Sequence, residues 1–180
     1  MARKYVQDYR LENRMSKDGK VRTVPVYKGD WFDFTADPAA VARAKVTYPA
    51  LIAASGVLLL YLLIFTNHMG NQWYVVLPAA FSLIFWFFAV LSTYRLLTAK
   101  GPVTREHKDK LHDRMAPMTL IFTVLLGLCT VGSVTGIVLQ GFHPWRLAYT
   151  LAAALCTCCG LIMFLNRGVL RMEKTDRTPT

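Results

Sequence analysis

Long apolar stretches alternate with short polar ones along the chain. No Asp, Glu, Lys or Arg lies between Lys45 and Arg95, from Met115 to Trp145, or from Leu147 to Asn166. A helix that crosses a hydrocarbon core needs about 20 apolar residues. The first gap is long enough for two such helices, and "TNHMGNQ" (66–72) is the polar break in its middle. The pattern therefore predicts four spans, at about 47–66, 73–95, 115–139 and 145–166. The expected fold class is an all-α membrane protein, a four-transmembrane-helix bundle (47–166) with a small N-terminal β-hairpin.

The first 35 residues follow a different period. "YRLENRMSKDGKVRTVPVYK" alternates with period two, and Asp18-Gly19 is a preferred dipeptide for a type I′ turn. Closing there pairs Leu11 with Val26, Asn13 with Val24 and Tyr9 with Lys28. One face then carries Tyr5, Tyr9, Leu11, Val24 and Val26, and the other Arg10, Glu12 and Lys20. Pro25 cannot donate to a ladder, so its strand is expected at an edge. A lone hairpin is marginal in water and must lean on the bundle, a second copy or another protein. Trp31, Phe32 and Phe34 read either as an interfacial anchor or as cover for the hairpin's apolar face.

Asp37-Pro38 has the form of an N-cap followed by proline at the first helical position. It predicts a juxtamembrane helix over 36–46, with Pro49 as a kink at the junction with the first span. Thr104 is placed to cap a charged helix over 105–114, in which Glu106 precedes Lys110 by one turn. Residues 167–180 read as a cytoplasmic tail, of which "RMEKTDRTPT" (171–180) is short, polar and disordered.

Charge adds an orientation. The net charge is +10 although 54% of residues are apolar. Of the 21 Lys+Arg, all but Arg146 fall before span one, between spans two and three, or after span four. Those segments are expected to be cytoplasmic, with both termini on that side. The basic excess is then suited to anionic lipid headgroups and not to nucleic acid, since no basic cluster is interleaved with stacking aromatics. The N-terminal stretch lacks the apolar core of a signal peptide. A bacterial plasma membrane is the expected location.

Candidate chemistry is sparse. "LAAALCTCCG" holds a formal C-x-x-C, Cys156 to Cys159. Cys129, Gly132, Ser133 and Gly136 recur at helical spacing in span three, and Ala152, Cys156, Cys159 and Gly160 do so in span four. Small stripes let membrane helices approach closely, so the expected role of these residues is packing of span three on span four. A thiol oxidoreductase needs a reachable thiolate and a second pair to pass electrons to, and the outer connections hold no cysteine. His68 and His143 sit in those two connections and raise the thought of a metal or haem bridge, but polar loops need no such explanation. His107 and His112 read as solvated surface histidines. Trp73, Tyr74, Trp145 and Tyr149 form an outer aromatic belt, and Phe81, Phe85 and Phe88 a lipid-facing stripe.

No acid, base or histidine lies within any span. Proton- and ion-coupled transporters place such groups there, and membrane hydrolases need a nucleophile with its base or a metal set. No enzyme activity, cofactor or metal is therefore expected. The leading expectation is a non-enzymatic accessory, assembly or scaffold subunit. It would dock a protein partner, or another copy of itself, through Tyr9, Leu11, Val24 and Val26 of the hairpin. A small oligomeric transporter or channel for neutral or lipophilic solutes is the alternative, and a thiol-redox or metal protein ranks last.

Overall fold

The computed structural model describes residues 3–15, 21–70, 72–99 and 101–175. Four of its helical stretches are long and apolar enough to cross a membrane: Pro38–Ile64, Trp73–Thr98, Arg105–Gln140 and Pro144–Leu170. The first two are α1 (Pro38–Ile64) and α2 (Trp73–Thr98). The third joins a short α3 (Arg105–Lys108), a π-helical turn (Asp109–Asp113) and α4 (Arg114–Gln140). The fourth is α5 (Pro144–Leu165) followed by a 3₁₀ turn (Asn166–Leu170).

Helix α1 runs through Pro49 without a break, so the short helix expected over 36–46 and the first span are one element. Pro38 occupies the first turn as expected, yet the Asp37 side chain makes no capping hydrogen bond. Thr104 does cap: its Oγ1 accepts the His107 N–H at 3.4 Å. Glu106 and Lys110 form the expected ion pair one turn apart. The connection between α1 and α2 is a 3₁₀ turn over Thr66–Met69 that ends at Gly70. Gly70 has φ +66, a left-handed value that favours glycine.

Prolines explain two local features. Pro117 lacks the N–H that would bond the carbonyl of residue 113, and the helix widens into the π turn immediately before it. Ser92 of α2 donates its hydroxyl to the Lys110 carbonyl in that turn, at 3.4 Å. Pro78 likewise leaves the Tyr74 carbonyl of α2 without its usual helical donor. Gly132 of α4 lies against that carbonyl, where an added Cβ would sit 3.2 Å from the Tyr74 oxygen and 3.1 Å from its ring. Only a residue without a side chain lets the two backbones come this close, a geometry that favours weak Cα–H···O contacts.

α4 and α5 do pack on each other, but the small-residue stripes are shared between that contact and other neighbours. Gly136, with Gly132, faces α2 and the connection before it: its Cβ would meet Met69 Cε at 2.7 Å. Cys156 reaches α1, its thiol donating to the Ser55 carbonyl at 3.4 Å. Gly160 is the member seated between α5 and α4, where a Cβ would lie 2.6 Å from Thr123 Oγ1 and 2.9 Å from the Phe122 ring. Cys129, Ser133 and Ala152 are buried, and Cys159 is half-buried. Spacing on one helix reveals a small face but does not identify what packs on it. Tyr149, assigned above to the aromatic belt, is fully buried, while Trp73 and Trp145 are exposed.

Strands gather at one end of the bundle. β1 (Tyr9–Met15) and β2 (Val21–Tyr27) form the antiparallel pair. β3 (Trp31–Phe34) is the centre of a second sheet, with β4 (Val103–Thr104) on one side and β5 (Met172–Thr175) on the other. The expectation of a disordered tail from residue 171 is corrected over 172–175 by β5, whose Met172 pairs with Phe34 and whose Lys174 pairs with Phe32. Val103 and Met172 are buried, and Phe32 and Phe34 pack against the core beside them. Phe32 and Phe34 thus pack on the core, while Trp31 meets Tyr27 of the hairpin. All three belong to a strand that binds the middle loop to the chain's last strand.

Replacing Gly132 with Leu is expected to force α4 away from the Tyr74 backbone and destabilise the fold by about 1–3 kcal/mol, the usual cost of overpacking. Thermal unfolding in detergent would read this as a lower midpoint. Gly127, where an added Cβ meets nothing within 4 Å, provides the control: Gly127→Leu should leave the midpoint unchanged.

Candidate docking site at the charged end

Period two and one turn built the expectation for the hairpin, and the ladder alters it by one residue. Tyr9 pairs with Tyr27, Leu11 with Pro25, Glu12 with Val24 and Arg10 with Val26. Among the described residues the last pair is Met15 with Val21, a register offset by one from that of the expected turn. Asp18-Gly19 itself lies outside the described residues. The shift matters because residues directly opposite share a face. Tyr9, Leu11 and Met15 lie with Val21, Pro25 and Tyr27, while Val24 and Val26 lie on the other face with Arg10 and Glu12. The four residues expected to make one contact surface are divided between two.

The hairpin is held at its base. Tyr5 is buried and donates its hydroxyl to Asp109 Oδ2 at 3.0 Å. The Lys28 N–H donates to the Asp8 carbonyl at 2.8 Å, extending the ladder. The Tyr27 ring meets Tyr9 and Trp31 edge-on, at centroid distances of 5.2 and 5.0 Å. Its hydroxyl donates to the Asp30 carbonyl at 2.7 Å and accepts the Arg105 N–H at 3.0 Å. Burial, with the Asp8 charge adding to it, raises the Tyr27 hydroxyl above its ordinary 10.0. Burial also raises Tyr9, helped by Glu106 and Asp8. Both phenols therefore stay neutral at physiological pH.

Beyond that base the hairpin has no cover. Leu11 is 72% exposed, Met15 78% and Val21 63%, all on one face. The opposite face mixes Val24 and Val26 with charged residues, of which Lys28 and Glu12 pair at 3.0 Å. The register also sets Arg14 opposite Arg22. The two strands form a sheet of their own, so their outer edges join no other strand among the described residues.

No protein-family model, curated protein or solved structure matches the chain.

The remaining candidates resolve into structural roles. His143 caps α5, its Nδ1 accepting the Trp145 N–H at 3.4 Å. The His68 ring stacks between Phe65 and Trp145 at 5.4 and 5.5 Å. Arg146, the one cation in either outer connection, donates to the carbonyls of Gln140, Gly141 and His68 at 2.8, 2.9 and 3.3 Å. Among the described residues, no three His, Cys, Asp or Glu side chains are grouped to hold a metal. Cys158 is exposed on α5, and all four cysteines are unbridged. Buried hydroxyls of Ser55, Ser82, Thr119, Ser133 and Thr150 bond carbonyls of their own helices rather than converging on one point.

His107 departs from the expectation of a solvated histidine. It is half-buried, and its Nε2 lies 3.1 Å from the Arg95 carbonyl, to which it donates. Burial lowers its pKa from 6.5, and the nearby Arg95 and Lys110 charges push the same way. The folded state thus favours the neutral ring. The stability that depends on burying the neutral ring is present above about pH 6.5 and is lost as pH falls from there through the lowered folded pKa. An NMR titration of the His107 ring should give a midpoint below 6.5. Acidification from pH 7 to 5 should loosen α3 from α2 in hydrogen exchange, and His107→Gln should reduce that acid sensitivity.

Proposed function

We propose that the chain is a non-enzymatic integral membrane subunit that recruits or assembles a protein partner through its hairpin. The observation that carries this reading is the exposed Leu11–Met15–Val21 surface on a two-stranded sheet fixed to the bundle only at its base. Two open strand edges and an apolar face suit an added strand from another protein. The arginine-rich ladder suits one that is acidic as well as apolar. The occupant is therefore an acidic β-strand segment of a different protein.

The placement of charge supports an orientation with the hairpin, the α2–α3 connection and β5 in the cytoplasm. Meeting of β3, β4 of the α2–α3 connection and β5 in one sheet supports four crossings. A bacterial plasma membrane fits the same charge rule. Binding to anionic headgroups on that side follows from the cations near the helix ends.

A photo-crosslinking residue at Leu11 or Val21, irradiated in native membranes, should yield an adduct with one defined protein. The double substitution Leu11→Asp and Val21→Asp should weaken that association at least about tenfold, as loss of a central apolar contact does. Val24→Asp, on the opposite face, should have a much smaller effect. Adducts with lipid alone would remove the docking role. Adducts with a second copy would replace the foreign partner with self-assembly.

A further inference from the structure

A second charged feature lies at the same end, away from the hairpin's exposed face. Arg95 is the first charged residue after the stretch that follows Lys45, in the last turn of α2. On the bilayer reading above, on which this inference rests, that position puts its guanidinium at the depth of lipid phosphates. It helps line a polar cavity of about 220 Å³ with Thr104, Glu106, His107 and Lys110. Glu106, the one carboxylate of that cavity, is engaged by Lys110. Among the described residues, no carboxylate lies within ion-pair distance of Arg95. A second cavity of about 240 Å³ shares Thr104 and His107 and adds Trp31 and Pro102. The site is thus a cationic recess that shares a wall with a less polar one, at the end of a membrane-length helix.

We propose that this recess binds the phosphodiester of an anionic glycerophospholipid from the surrounding leaflet. Arg95 presents a planar fork of N–H donors that fits phosphate oxygens two at a time. Thr104, Lys110 and the shared His107 wall surround the same space. The neighbouring cavity beside Trp31 takes the glycerol part of the headgroup. The chemistry recognised is a phosphate ester, whether lipid-borne or soluble, and depth at the helix end favours the lipid.

The test uses the full chain reconstituted in nanodiscs of phosphatidylcholine with a minor fraction of phosphatidylglycerol, followed by native mass spectrometry of the lipids retained on release. Phosphatidylglycerol is expected to be enriched over its bulk fraction. Arg95→Gln should lower that enrichment about tenfold, the effect of losing one charge-assisted contact. Arg95→Lys should retain part of it. Arg43→Gln, which alters a cation lining a different cavity on α1, should leave it unchanged. The hairpin double variant should also leave it unchanged, which separates this site from the docking face. Enrichment that survives Arg95→Gln, or no enrichment in the parent chain, would overturn the assignment. Displacement of the lipid by millimolar inorganic phosphate would reassign the recess to a soluble anion. Failure to enter nanodiscs at all would instead remove the bilayer reading beneath it.

Discussion

Every backbone N–H and C=O in an apolar setting has to find a partner, and the rest of this structure depends on how that demand is met. Helices meet it internally, so the four apolar stretches fold as helices. The prolines are where the internal solution fails, and two of them set what packs nearby. At Pro78 the released Tyr74 carbonyl is approached by Gly132 of α4. At Pro117 the helix opens into a π turn, and Ser92 reaches one of its carbonyls. Arg146 performs the same service at the other end, donating to three loop and helix-end carbonyls. Packing of the bundle is thus organised around backbone groups as much as around side-chain bulk.

The two ends of the bundle differ in kind. One is closed by short turns, stacked rings and a single arginine. Among the described residues, the other carries every acidic side chain, nearly all the cations and both small sheets. Its sheets also differ. The β4–β3–β5 sheet presses Phe32, Phe34, Val103 and Met172 onto the helices and is structural. The β1–β2 sheet turns its apolar residues outward and is joined to the bundle by Tyr5, Tyr27 and the Tyr27–Trp31 contact. That division of labour separates a part that holds the chain together from a part free to meet something else.

How much of this was legible in the sequence depends on how local its cause is. The helices were, because absence of charge over some twenty residues is a property of one segment. The Thr104 cap and the Glu106–Lys110 pair were, because each spans one turn. The hairpin's existence was legible but not its register. Register turns on whether the connection has an odd or even length, and the choice of a two-residue turn at Asp18-Gly19 fixed the wrong parity. The small-residue stripes were visible and Gly160 does meet α4, whereas the neighbours of Gly132 and Cys156 lie on α2 and α1, elements distant in sequence. Strand β5 was missed because "MEKT" has no strand pattern of its own, and a partner over a hundred residues away makes it one. The contact face was misjudged for the same reason as the register, and the polar recess at Arg95 drew no attention because its members come from two segments joined only in the fold.

The pairing of β3 with β5 has a consequence for biogenesis. Residues 31–34 leave the ribosome early, but one of their two partner strands is 172–175, the last described element to be made. Sheet closure has a large sequence separation and must wait until every helix between has been laid down. A chain with one helix omitted or inverted would leave β5 at the wrong end and β3 with an open edge. The central strand thereby acts as an internal checkpoint, reporting by its own completion that the whole chain has been threaded in the right order.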